Sequence, residues 1–146
     1  MRNAVALLGT AAVLAFPSCS STPPRVRTSS QPDGIRCVAI RDRLQPSEAE
    51  SLLLFYCAQA TLEAGHRYFR ITGRSTYGPQ SNPRQSITAA MLPEFTTCFR
   101  SSVDSTPAPD TLDSRLVVVQ ADPALRSHLS APARRHLEAI EAGRTP

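Results

Sequence analysis

The chain has 146 residues, of which 41% are hydrophobic and 19% charged, enough for one modest core and inconsistent with a fully disordered chain. Thirteen prolines against six glycines point to long irregular connections between few regular elements. The net charge is +4, yet all 16 basic residues are arginines scattered from Arg2 to Arg144 among 12 acids, so the sequence presents no basic run or aromatic stacking platform and nucleic-acid binding is not expected.

The first element in chain order is a targeting segment. Arg2 supplies a positive charge and residues 4–16 an apolar run too short for the ~20 residues that span a bilayer, the pattern of a secretory signal. Ordinary cleavage wants small residues at −3 and −1. Cutting after Ser18 would place Phe16 at −3, cutting after Pro17 would place proline at −1, and a cut after Ser21 would discard Cys19.

Phe16-Pro17-Ser18-Cys19 resembles the lipobox of bacterial lipoproteins: an apolar residue, a variable one, a small one and then cysteine. Phe16 stands where that family usually has leucine, and Pro17 where it has alanine or serine. The resemblance implies a signal peptide over 1–18, a diacylglyceryl group on the Cys19 sulfur and acylation of the new amino terminus. At about 0.8 kcal/mol per buried methylene, several chains would hold the protein on a membrane essentially permanently. Ser20, rather than aspartate, follows the cysteine, which in the Gram-negative members of that family implies the outer membrane, facing the periplasm.

Ser20 to Gly34 is rich in Ser, Thr and Pro and has no apolar periodicity; together with Cys19 it is expected to form a flexible tether, residues 19–34. A single small domain is expected over 35–146. Ile35 to Ile40 reads as a strand. Ser47 to Glu50 has the S-x-x-E form of a capping box, and Gly65 sits where a left-handed residue ends a helix, so a helix is expected from Glu48 to Ala64. Only Gln59, Thr61 and Glu63 interrupt its apolar surface near the C-terminal end, which implies burial on most sides or packing across a sheet.

Tyr68 to Thr72 alternates like a half-buried strand, residues 73–86 like a polar loop. Ile87 to Met91 and Phe95 to Arg100 read as strand material interrupted by Pro93, residues 101–113 as a loop, and Leu116 to Val119 as a buried β-branched strand. Asp122-Pro123 forms an N-cap and first-turn pair, opening a helical stretch to Ala142 broken near Pro132. The expected fold is α+β, a small two-layer sandwich with a mainly antiparallel sheet of three to five strands, one long N-terminal helix and a C-terminal helix.

Residues 55–69, Phe-Tyr-Cys-Ala-Gln-Ala-Thr-Leu-Glu-Ala-Gly-His-Arg-Tyr-Phe, resemble a family of uncharacterised proteobacterial envelope lipoproteins, in which a helix ends in glycine and runs directly into a Tyr-x-x-Phe-like strand. The likeness is a packing pattern and implies no activity.

With Cys19 consumed by lipid, Cys37, Cys57 and Cys98 remain. Export favours a disulfide, an odd count leaves one thiol over, and Cys57 within an apolar helix behaves as a small hydrophobe, so Cys37 with Cys98 is the preferred pair. His66, His128 and His136 show no spacing that places them beside a thiol or a metal, and there is no Cys-x-x-Cys, phosphate loop or zinc-protease motif. No catalytic, metal or cofactor site is therefore expected. The leading reading is a non-catalytic lipoprotein attached to the membrane by its lipid, with a structural, assembly or sensing role and an unidentified envelope partner. The alternatives are a module that binds cell-wall or lipid fragments in an apolar groove, and a small thiol-dependent or hydrolytic enzyme.

Overall fold

The computed structural model describes residues 25–78, 92–102 and 109–144. The signal segment, Cys19 and the expected strand at 87–91 lie outside them. Nine elements follow in the order β1 (Arg25–Ser30), β2 (Arg36–Arg41), α1 (Pro46–Glu63), β3 (Tyr68–Tyr77), β4 (Glu94–Ser102), β5 (Leu112–Asp113), α2 (Ser114–Gln120), α3 (Pro123–Arg126) and α4 (Ala131–Glu141). The strands form one antiparallel sheet in the order β1-β2-β4-β3-β5. The fold is a small α+β one, as the sequence implies.

Register divides the sheet into two faces. Val38 opposes Thr97, Ile40 opposes Phe95 and Ile71 opposes Phe99, and these side chains pack against α1. Val38, Ile40 and Phe99 are fully buried, and Phe99 meets Phe69 edge to face at 5.8 Å between ring centroids. Thr72 is left out of the β3–β4 register between Ile71 and Gly73. That bulge inverts the alternation, so Arg74 rather than Gly73 shares the helix side, where its guanidinium meets Glu50 of α1 at 3.0 Å.

α1 carries the core from both sides. It packs on β2, β3 and β4 and is covered by α2 and α4. The three polar residues near its C-terminal end all have structural work: Gln59 Oε1 accepts from the Ser130 N–H, Glu63 Oε1 accepts from Ser130 Oγ at 2.6 Å, and Thr61 Oγ1 donates to the Cys57 carbonyl. Ser130 also caps α4, so these contacts fix the start of α4 on the end of α1. The helix closes as expected: Gly65 has φ +75°, its N–H reaches the Leu62 carbonyl, and the His66 N–H reaches that of Thr61.

Four expectations are corrected. First, residues 25–30 are not tether but an edge strand, paired with β2 through all six residues. An edge strand needs little inward apolar surface, and Val26 opposite Ile40 supplies it. Second, α1 starts at Pro46, not Glu48. Glu48 Oε2 accepts from the Gln45 N–H at 3.0 Å, and Pro46 stands at the first helical position, where its missing N–H costs nothing.

Third, β3 continues to Tyr77 through the polar residues 73–77, and β4 continues to Ser102, so the loops expected at 73–86 and 101–113 begin later or are interrupted by β5. Fourth, Leu116 to Val119 is helix rather than buried strand, and Leu116 and Val119 are 47% and 50% exposed. Asp113 decides this. Its Oδ2 accepts two hydrogen bonds from Arg67 at 2.9 and 3.2 Å, while its Oδ1 accepts from the Arg115 N–H, ending β5 after two residues and capping α2.

Candidate functional site: an apolar groove between three helices

The α1 face turned away from the sheet is not fully covered. α2 reaches α1 through buried Val118, and α4 is fastened to it at Ser130, but α3 between them is a single turn with no buried residue. A groove of about 770 Å³ remains, walled by Leu52 and Leu54 of α1, Val117 of α2 and Leu125 of α3. Its volume lies within the ~300 to 1,000 Å³ usual for small-molecule sites.

The carboxylates at the groove are already engaged in local structure. Glu48 closes the first turn of α1, and Asp122 Oδ1 accepts from the Ala124 N–H at 2.8 Å to cap α3. What they leave between them is mainly aliphatic surface, with His128 at the α3 end. Water in contact with such a surface is displaced by an apolar ligand at a gain of about 25 cal/mol per Å². The arrangement suits capture of an apolar group.

Cys37 and Cys98 face each other in register on β2 and β4 and form a disulfide. Cys57 is a free cysteine with no exposed surface, and burial pushes its thiol up to about 12 despite the favourable field of Arg74. A thiol in that state is not a nucleophile at neutral pH. Iodoacetamide at pH 8 is expected to leave the folded protein unmodified and to add one carbamidomethyl group at Cys57 after denaturation without reductant; mass spectrometry of the peptide spanning α1 reads the difference. The linked pH effect has a definite sign. Between about 9 and 12 the unfolded chain releases the Cys57 proton and the folded one retains it, so this group lowers stability as pH rises through that range.

The histidines are dispersed. His66 Nδ1 lies 2.8 Å from Ser101 Oγ, His128 borders the groove, and His136 is on α4. The His66–Ser101 pair is not evident in the sequence, where the two are 35 residues apart; the β3–β4 pairing brings them together. It has no hydrogen bond to a carboxylate among the described residues. No group of three or more metal-ligating side chains occurs among them either, and no helix among them is long and apolar enough to cross a membrane.

An apolar groove is what the ligand-binding alternative requires, but its place between α1, α2 and α3 is not evident in the sequence. The sequence signal for it is the nearly continuous apolar surface of α1, which speaks for burial on most sides or packing across a sheet and does not mark which part is left open. No family model, curated protein or solved structure matches this chain. Residues 55–63 form the last turns of α1, Gly65 takes positive φ after them, and Tyr68 and Phe69 open β3.

Proposed function

We propose that this chain is a non-catalytic lipoprotein of the cell envelope, held by lipid on Cys19 at the periplasmic face of the outer membrane, whose domain binds an apolar molecule between α1, α2 and α3. The observation that carries the binding role is the groove: solvent-open, walled mainly by leucine, valine and alanine, and large enough for an acyl chain or a comparable lipid fragment. This favours the ligand-binding alternative within the broader structural, assembly or sensing role, because a mainly aliphatic concave wall is the kind of surface that binds small apolar ligands. Anchoring rests on the apolar run and the Phe16-Pro17-Ser18-Cys19 sequence. Against a thiol enzyme stand the full burial of Cys57 and its raised pKa.

The groove is tested by titrating the protein with N-phenyl-1-naphthylamine, a fluorescent apolar reporter, followed by displacement with a long-chain fatty acid. One saturable site is expected. Val117→Glu and Leu125→Glu each place a charge against the apolar wall at half-buried positions, and each is expected to weaken reporter binding roughly 10- to 100-fold, the equivalent of one lost aliphatic contact surface. Reporter binding that does not saturate, or that both variants leave unchanged while remaining folded by circular dichroism, would refute the groove as a site.

A further inference from the structure

The sheet has a second face, opposite α1, which no helix among the described residues covers. Strand periodicity collects there what the sequence scatters. Arg27 of β1, Arg41 of β2, Arg70 of β3 and Arg100 of β4 all stand on this face by register, and Arg25 lies in register opposite Arg41. The remaining strand arginines, Arg36 and Arg74, are on the helix side, engaged with the Ala60 carbonyl and Glu50.

The charge on this face is not balanced. Arg27 and Arg41 share one oxygen of Glu94, at 3.1 and 2.9 Å. Arg100 donates to a neutral acceptor, the Asp33 carbonyl. Arg70 approaches Asp110 only at 3.6 Å, with both side chains more than half exposed, a pairing that water and salt largely screen. Among the described residues Glu94 thus leaves a positive excess while drawing two exposed guanidinium groups together. At the same end of the sheet Tyr77, in register with Glu94, is 75% exposed, an amphipathic ring of the kind enriched at the boundary of a bilayer.

With Cys19 anchored as proposed above, connectivity keeps the β1 edge of the sheet near the membrane. β1 is an edge strand that starts at Arg25, only six positions after Cys19. Six residues span at most about 20 Å whatever their conformation. The fifteen-residue tether read from the sequence would have let the domain stand well clear of the lipid; with residues 25–30 built into the sheet it has no such freedom.

We infer that the open face of the sheet is a membrane-docking surface, in which Arg27, Arg41, Arg70 and Arg100 contact the phosphates of anionic phospholipid headgroups while Tyr77 enters the interface. The orientation rests on the Cys19 anchor proposed above, but the affinity of the face for anionic lipid is its own property. Docked in this way, the domain turns α1 and the groove away from the bilayer toward the periplasm.

The test uses the full chain carrying Cys19→Ser, which cannot be acylated at that position, so that a failure of the anchor and a failure of the docking face remain distinguishable. Co-sedimentation is measured with vesicles of phosphatidylethanolamine and phosphatidylglycerol and with vesicles of phosphatidylcholine. The anionic vesicles are expected to bind at least tenfold more tightly, with the preference lost as NaCl is raised from about 0.1 to about 0.5 M. Arg27→Glu with Arg100→Glu is expected to remove that preference; Arg126→Glu with Arg135→Glu, the same change in net charge placed on α3 and α4, is expected to leave it within about twofold. Equal losses from both pairs would mean that net charge alone matters and would overturn the assignment. So would the absence of any anionic preference, or tight binding of a duplex oligonucleotide through the same arginines without vesicle binding.

Discussion

Replacing Cys37 and Cys98 together by alanine is expected to lower the unfolding free energy by about 4 kcal/mol. The bond joins residues 61 apart in sequence, and the chain between them includes α1, β3 and the β3–β4 connection. Cross-linking a loop of that size removes roughly this much conformational freedom from the unfolded ensemble. It also ties β2 to β4, adjacent strands within the sheet, at the position where their side chains already oppose each other. A domain of this size has about 5 to 15 kcal/mol in total, so the reduced protein keeps a thin margin. Urea denaturation with and without reductant measures the effect directly. A midpoint unchanged by reduction, with the thiols shown to be free, would contradict it.

Phe99→Ala is expected to cost about 3 to 5 kcal/mol, the range for removing a large side chain from a site that cannot collapse. Phe99 has no exposed surface, lies on β4 between β2 and β3, and meets Phe69 edge to face beneath α1. Both neighbouring strands are hydrogen-bonded to β4, so the backbone cannot close the void without breaking the ladder. Leu116→Ala gives the contrast: that side chain is half exposed on α2, and its loss is expected to stay within about 0.5 kcal/mol. Thermal unfolding of the two variants ranks them. Equal shifts would contradict the buried position of Phe99 and the half-exposed one of Leu116.

These two sites were open to sequence reasoning in unequal degree. The disulfide partners could be read by setting aside Cys19 as lipid-bearing and Cys57 as buried in an apolar helix, because the residues themselves carry those signals. α1 was legible for the same reason: eighteen residues of largely apolar sequence end at a glycine that the backbone uses at positive φ. Its start was less so, since Ser47/Glu50 and Gln45/Glu48 have the same spacing and only the position of Pro46 separates them.

Where the sequence misled, a partner elsewhere in the chain outweighed local preference. Leu116 to Val119 has strand propensity, yet Asp113, held by Arg67 from the start of β3, caps a helix there. Arg25 to Ser30 has the composition of a linker, and pairing with β2 makes it a strand. The arginines of the open face are separated by up to dozens of residues and acquire a common direction only from register. The groove depends on α3 being too short to close over α1, a fact of three-helix geometry with no counterpart in any local motif.

Membrane attachment, the orientation of the open sheet face and the placing of the groove toward the periplasm all depend on what becomes of Cys19. The direct measurement is the intact mass and N-terminal peptide mass of the protein purified from a Gram-negative host. The account predicts a chain that begins at Cys19 and carries a diacylglyceryl thioether with an additional acyl group on its amino terminus. An unmodified chain beginning at Thr22 would contradict it.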